Sequence, residues 1–182
     1  MAPGRAHRCA GGLLLVAVLS TPPDSARAEG PALGEALDAA TLTAIDSTVF
    51  PDGRGLPAGS GSVAEGRVLF EQRCAVCHGA GGRGASAPEL AGGEMGLTGE
   101  WPDKIVGTYW PHATTLFDFI RRAMPMTAPG SLSADQVYAL TAYVLFLNDI
   151  VPETGRLDAE ALAAVQMPNR DGFIWIDAPR PR

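Results

Sequence analysis

The chain has 182 residues, 46% of them hydrophobic, a formal net charge of −6 and three cysteines. That length bounds it to about one domain, and the acidic balance excludes nucleic acid as an electrostatic partner, because the phosphates would repel it. Cys9, Cys74 and Cys77 cannot build the disulfide framework that a small exported domain usually needs. In chain order, residues 1–28 come first and read as a cleavable secretory signal. Arg5, His7 and Arg8 precede an apolar run from Ala10 to Leu19, and Ala26-Arg27-Ala28 supplies the small-x-small cleavage pattern. The run is only ten residues long, half of the roughly 20 that a membrane span takes. The mature chain is therefore expected in the periplasm, with no membrane span. It loses Arg5, Arg8 and Arg27 against Asp24, so it is more acidic still.

Residues 29–61 read as an N-terminal arm. An Ala/Leu-rich stretch from Leu33 to Ile45 predicts a short helix, and the segment from Phe50 to Ser62 is turn chemistry throughout. Val49, Phe50 and Leu56 favour an arm laid over the main domain rather than a free linker. Residues 62–150 form the principal domain. Ser62 with Glu65 makes a capping box, and Val63, Arg67, Phe70 and Cys74 follow at helical spacing. Residues 79–100 are a glycine-rich loop. A second helix is predicted over Thr114–Ala123, with Leu116, Phe117 and Ile120 on its apolar face. A third follows the capping box Ser133-Ala-Asp-Gln136, with Val137, Leu140, Val144 and Leu147 on one side. Residues 151–182 are a C-terminal extension with a short helix around Leu157 to Gln166. No segment reads as a strand. The expected fold is all-α, with three to five helices joined by long loops. That is too little secondary structure for a self-sufficient core, and a flat apolar cofactor would supply the missing burial.

Cys74-Ala75-Val76-Cys77-His78 identifies that cofactor. Cys-x-x-Cys-His is the attachment pattern for haem c: two thiols add to the vinyl groups and the adjoining imidazole reaches the iron. At a helix end, two intervening residues put both sulfurs on one edge of the porphyrin. Competing readings fit less well. A structural zinc site needs a second ligand pair, but the mature chain has only His112 besides His78 and no cysteine after Cys77. A thioredoxin-like pair should follow a strand, and a plain disulfide leaves His78 unexplained. One attachment site implies one covalent haem.

Met124 and Met126 are the candidates for the sixth iron ligand, both just ahead of the last long helix. Met124 is favoured because Pro125 follows it directly and restrains the loop. Met126 remains the alternative, and His112 would give a bis-histidine site. Either methionine could instead be an ordinary core filler. Pro88 is the expected source of a carbonyl for the second ring nitrogen of His78. Trp101, Tyr109, Trp110 and Tyr143 are the aromatic residues available to pack on the ring or meet its propionates.

With these residues placed, the chain resembles the class I cytochromes c over residues 62–148, through Gly66, Phe70, Cys74 to His78, Pro88, Met124 and Tyr143. The resemblance implies that Gly66 and Tyr143 lie where the first and last helices cross. A narrower resemblance runs through Phe50-Pro-Asp-Gly-Arg-Gly-Leu-Pro, the string from Tyr109 to Pro125, and Met167-Pro-Asn-Arg-Asp-Gly-Phe173. These are similar to the cytochrome subunit of Sox-type sulfur (sulfane) dehydrogenases. That resemblance implies Met124 as ligand and a molybdoenzyme partner that oxidises sulfite or sulfane sulfur. It also implies a downstream cytochrome that takes the electrons on. Two other functions stay open from the residues alone: a freely diffusing shuttle to respiratory enzymes, and a haem enzyme or gas sensor with an open iron position.

Overall fold

The computed structural model describes residues 34–93 and 96–174; the expected signal and its cleavage site lie outside them. In chain order the described elements are α1 (Ala39–Ile45), β1 (Ser60–Ser62), α2 (Val63–Arg73), α3 (Ala75–His78) and a 3-10 turn (Ala80–Gly82). These are followed by α4 (Val106–Tyr109), α5 (Ala113–Ala123), α6 (Ala134–Leu147), β2 (Arg156–Asp158) and α7 (Ala159–Ala164). Among the described residues, five helices have six residues or more, as expected; α3 and α4 are four-residue turns too short to leave a periodic signal.

Helix starts follow local chemistry. The Ser62 hydroxyl accepts from the Glu65 N–H at 3.2 Å, while the Glu65 carboxylate accepts from the Ser62 N–H at 2.7 Å. Ser133 and Gln136 repeat the arrangement at α6, with bonds of 3.3 and 3.0 Å. Asp158 caps α7 by accepting from the Ala161 N–H at 2.9 Å. Each such cap satisfies backbone donors that a helix start would otherwise leave unpaired.

Helix α6 is the centre of the core, with an unbroken buried run from Val137 to Leu145. Helix α2 crosses it at Gly66. A methyl group on Gly66 would overlap the Ala139 carbonyl and sit 2.8 Å from Tyr143 Cβ, so only glycine lets the two backbones meet. One turn further along α2, Phe70 packs on Tyr143 with ring centroids 5.3 Å apart. Helix α5 packs on the same α6 through Phe117 and Tyr138, centroids 4.6 Å apart. Burying side chains of this size contributes about 1.5–3 kcal/mol each.

The flanking segments join this core. Val49 and Leu56 of the arm pack against it, and the Tyr138 hydroxyl donates to the Pro57 carbonyl at 2.9 Å. Phe50 departs from expectation: it is 41% exposed and lies under the Arg54 guanidinium, 4.3 Å from its centroid, rather than in the core. Leu157, Leu162 and Met167 of the extension are buried. The absence of strands is also corrected. Ser60–Ser62 and Arg156–Asp158 form a two-stranded antiparallel ribbon with Gly61 opposite Leu157. Ser-Gly-Ser carries no alternating apolar pattern, so nothing local marks it as a strand. Its glycine is there because a Cβ would run into the Ala139 backbone.

Two outcomes follow. Gly66→Ala should lower stability by about 3 kcal/mol, at the upper end of overpacking because the obstacle is backbone, read from the denaturant midpoint. The Ser62 hydroxyl and N–H, with Arg156, hold the Glu65 carboxyl below its ordinary value of 4.5. Its contribution is therefore present above that pH and lost as pH falls through the lower folded value. The difference in midpoint between wild type and Glu65→Ala should be constant above pH 4.5 and shrink below it.

Candidate haem site

The thiol pair sits where α2 ends. Helix α2 stops at Arg73, Cys74 turns the chain, and α3 carries Ala75 to His78. The Cys77 and His78 N–H groups both donate to the Cys74 carbonyl, at 3.0 and 2.9 Å. This keeps Cys74 and Cys77 one helical turn apart, the spacing at which side chains share a face. Cys74 is half-buried, Cys77 is exposed, and Val76 between them is 78% exposed. Burial pushes the pKa of the Cys74 thiol up, a shift that Arg73 opposes and Cys77 reinforces.

The glycine-rich loop that follows is closed back on the motif. The Gly84 N–H donates to the His78 carbonyl at 2.7 Å, Ala87 to Cys77 at 2.8 Å, and Leu90 to Gly82 at 2.7 Å. Gly79 has φ +75°, and a side chain there would strike the Gly84 carbonyl, so the reversal requires glycine. The closed loop presents the Pro88 carbonyl 2.9 Å from His78 Nδ1. A carbonyl only accepts, so Nδ1 carries the proton and Nε2 keeps its lone pair for a metal.

His78 and Pro88 line one wall of a cleft of about 290 Å³. Leu90, Ile105, Val106, Leu116, Ile120 and Val144 make it predominantly apolar, and Met124 lines it as well. Met126 does not: two residues further on, it is 79% exposed. Of the four candidate aromatic residues, Trp110 lines the cleft. Trp101 is 74% exposed, Tyr109 packs against Phe173, and Tyr143 stays between Phe70 and Phe146 at the helix crossing. Burial raises the Tyr143 phenol's pKa, with Glu71 adding to the shift and Arg67 opposing it. His112 occupies the N-cap position of α5 and is not among the cleft-lining residues. A larger, more open depression of about 500 Å³ lies between the starts of α2 and α6. Its charged residues have partners, since Arg156 pairs with Glu65 at 3.3 Å and Asp135 accepts from the Ser60 N–H at 2.7 Å.

These residues fit a covalently held haem: two thiols on one turn, an imidazole with an oriented lone pair, an apolar cleft and a thioether in it. The family model for cytochrome c matches residues 63–148. In the crystal structure of the sulfane dehydrogenase SoxCD from Paracoccus pantotrophus, one chain is 41% identical, with a TM-score of 0.75 over 81% of this chain and 73% of that one. The chain belongs to the cytochrome c family. The class I fold and the likeness to the Sox-type dehydrogenase cytochrome, both expected from the residues, are borne out, and membership carries covalently bound haem c. Two curated relatives match over shorter stretches. The Cbb3-type cytochrome c oxidase subunit CcoP of Azospirillum sp. (strain B510) is 35% identical over 102 residues, 53% of this chain and 34% of that protein. The thiosulfate dehydrogenase of Stutzerimonas stutzeri (strain A1501) is 31% identical over 90 residues, 48% of this chain and 28% of that protein. The chain thus spans about a third of the length of these two relatives. Among the described residues, no helix is long and apolar enough to cross a membrane.

The cytochrome also uses a residue that the sequence did not single out. Asn148 ends α6 and ties three segments together: its amide donates to the Leu90 carbonyl at 3.0 Å and the Val144 carbonyl at 2.8 Å, and its oxygen accepts from the Gly107 N–H at 3.0 Å. It fastens the loop bearing Pro88 and the start of α4 to the central helix. The only local signal was an amide at a helix end, which is common. Asn148→Ala should destabilise the cytochrome by about 2–3 kcal/mol, the usual scale for orphaning part-buried backbone partners, measured as a shift in denaturant midpoint.

Proposed function

We propose that this cytochrome takes single electrons, in the periplasm, from a molybdenum-dependent subunit that oxidises sulfite or sulfane sulfur, and passes them to a downstream cytochrome. One haem would be tethered by Cys74 and Cys77 and held at its iron by His78 and Met124. The observation that carries this reading is that His78, oriented by the Pro88 carbonyl, and Met124 line the same apolar cleft. When bound, the haem supplies a one-electron Fe(III)/Fe(II) couple. The chain's own residues set the terms of that couple. Pro88 holds His78 in the tautomer that can ligate. The Met124 thioether is a soft donor that would favour the reduced metal and so raise the potential. Leu90, Ile105, Ile120 and Val144 line the cleft and would shield the bound group from water. With His78 and Met124 both holding the iron, no open site would be left for a substrate, and this favours electron transfer over catalysis. The likeness to a chain of a sulfane dehydrogenase supports the choice of partner.

Mixing the oxidised holoprotein with the molybdoenzyme and sulfite should reduce the cytochrome, converting its ferric spectrum to the ferrous one. A cytochrome that stays oxidised while sulfite is consumed with another acceptor counts against the pairing. Met124→Ala should abolish the weak far-red sulfur-to-iron absorption band and admit carbon monoxide to the ferrous form, whereas Met126→Ala should leave both as in wild type. The reverse pattern would move the ligand to Met126.

A further inference from the structure

The last turn of α5 delivers Met124, and that turn is tied to the arm. The Met124 N–H donates to the Ile120 carbonyl at 3.1 Å, so the position of the methionine is set by where α5 ends. Arginines at a helix end ordinarily serve the helix's own carbonyls. Here they reach outside it. Arg122 Nη2 donates to the Ser47 carbonyl at 2.8 Å, and Arg121 Nη1 approaches the same oxygen at 3.4 Å. The other side of the Arg122 fork is held by Asp118, one turn back in α5, with Nε 2.8 and 2.9 Å from its two carboxylate oxygens. Asp118 thus aims the guanidinium at the arm, a geometry that suits a rigid planar fork.

The arm is built to receive it. The Asp46 side chain accepts from the Thr48 N–H at 3.0 Å, closing a turn around Ser47. Gly55 lacks the side chain that would strike the Thr48 carbonyl. Further on, Pro51 accepts from the Thr114 hydroxyl at 3.4 Å at the opposite end of α5. Thr114 and Arg121 are about 10 Å apart along the helix, a distance that the chain from Ser47 to Pro51 can span. The arm therefore lies along α5, while Leu116, Phe119 and Ile120 of the same helix line the cleft.

We propose that Arg122, aimed by Asp118 and assisted by Arg121, is a positioning residue for Met124: it clamps the end of α5 to the Ser47 carbonyl and so holds the thioether in the cleft. This rests on Met124 being the iron ligand. Releasing the clamp raises the fraction of molecules in which the methionine has left, and an external ligand then binds more tightly in proportion to that fraction.

Imidazole titration of the ferric holoprotein reads this directly. Arg122→Ala should bind imidazole about tenfold more tightly than wild type, the worth of one charge-assisted hydrogen bond, and show a weakened far-red band. Arg122→Lys, which can still donate to Ser47, should fall between them. Arg67→Ala breaks an exposed ion pair with Glu153 and should match wild type, separating the clamp from general loss of surface charge. Should Arg122→Ala fail to fold, Asp118→Asn leaves the arginine but removes its aim, and is expected to shift affinity the same way by a smaller factor. Unchanged imidazole affinity and band in a folded Arg122→Ala, or in Asp118→Asn if that variant is needed, overturns the clamp while leaving Met124 as ligand. A wild-type protein without the far-red band overturns the Met124 reading and the clamp with it.

Discussion

The frame of this cytochrome is the crossing of α2 over α6, and that crossing is possible because Gly66 has no side chain. With a Cβ there, the Ala139 carbonyl would be overlapped and the two helices would have to separate. At the contact they bring Phe70 and Tyr143 together and leave Ala139 against two glycines, Gly61 and Gly66. The consequences run outward along both helices. Helix α2 leads directly to Cys74 and α6 directly to Asn148, so one close approach sets the thiol pair and the amide that anchors the facing loop.

The two sides of the cleft are built by different physics. The His78 side is local: Pro88 lies ten positions after His78, and backbone hydrogen bonds from Gly82 to Gly79, Gly84 to His78 and Ala85 to Ala87 convert a glycine-rich stretch into a closed loop. Its glycines provide reversals and close approaches that no other residue allows. The Met124 side is assembled from parts distant in sequence. Helix α5 is held on its inner face by α6 through Phe117 and Tyr138, and on its outer face by the arm through Thr114, Arg121 and Arg122.

The segments flanking the principal domain belong to the same packing problem. Leu157, Leu162 and Met167 from the extension and Val49 and Leu56 from the arm meet the core that the longer helices form. Gly53 of the arm lies close against Ala163 of α7, where a side chain would come within 2.8 Å of its Cβ. The ribbon of β1 and β2 stitches the start of the principal domain to the extension. A haem in the cleft would complete this core by covering the apolar residues that line it.

What the sequence determined by itself was everything encoded within about one turn of chain. The Cys74–His78 spacing announced the haem. Ser62 with Glu65 and Ser133 with Gln136 announced where α2 and α6 begin, because capping and helical periodicity are short-range and leave fixed offsets. The Pro88 carbonyl, ten positions from His78, was legible beyond that range because proline restrains the loop that must present it. The sequence favoured Met124 over Met126, and the structure places Met124 in the cleft; the tertiary structure alone decided that Trp110 rather than Trp101 lines it and that Phe50 turns outward to Arg54. It alone paired Ser-Gly-Ser with a strand 96 residues away and gave Asn148 its three partners. Those outcomes depend on which backbones approach one another across the core. Such approaches are set by excluded volume and long-range hydrogen bonds, and neither leaves a periodic trace in the chain.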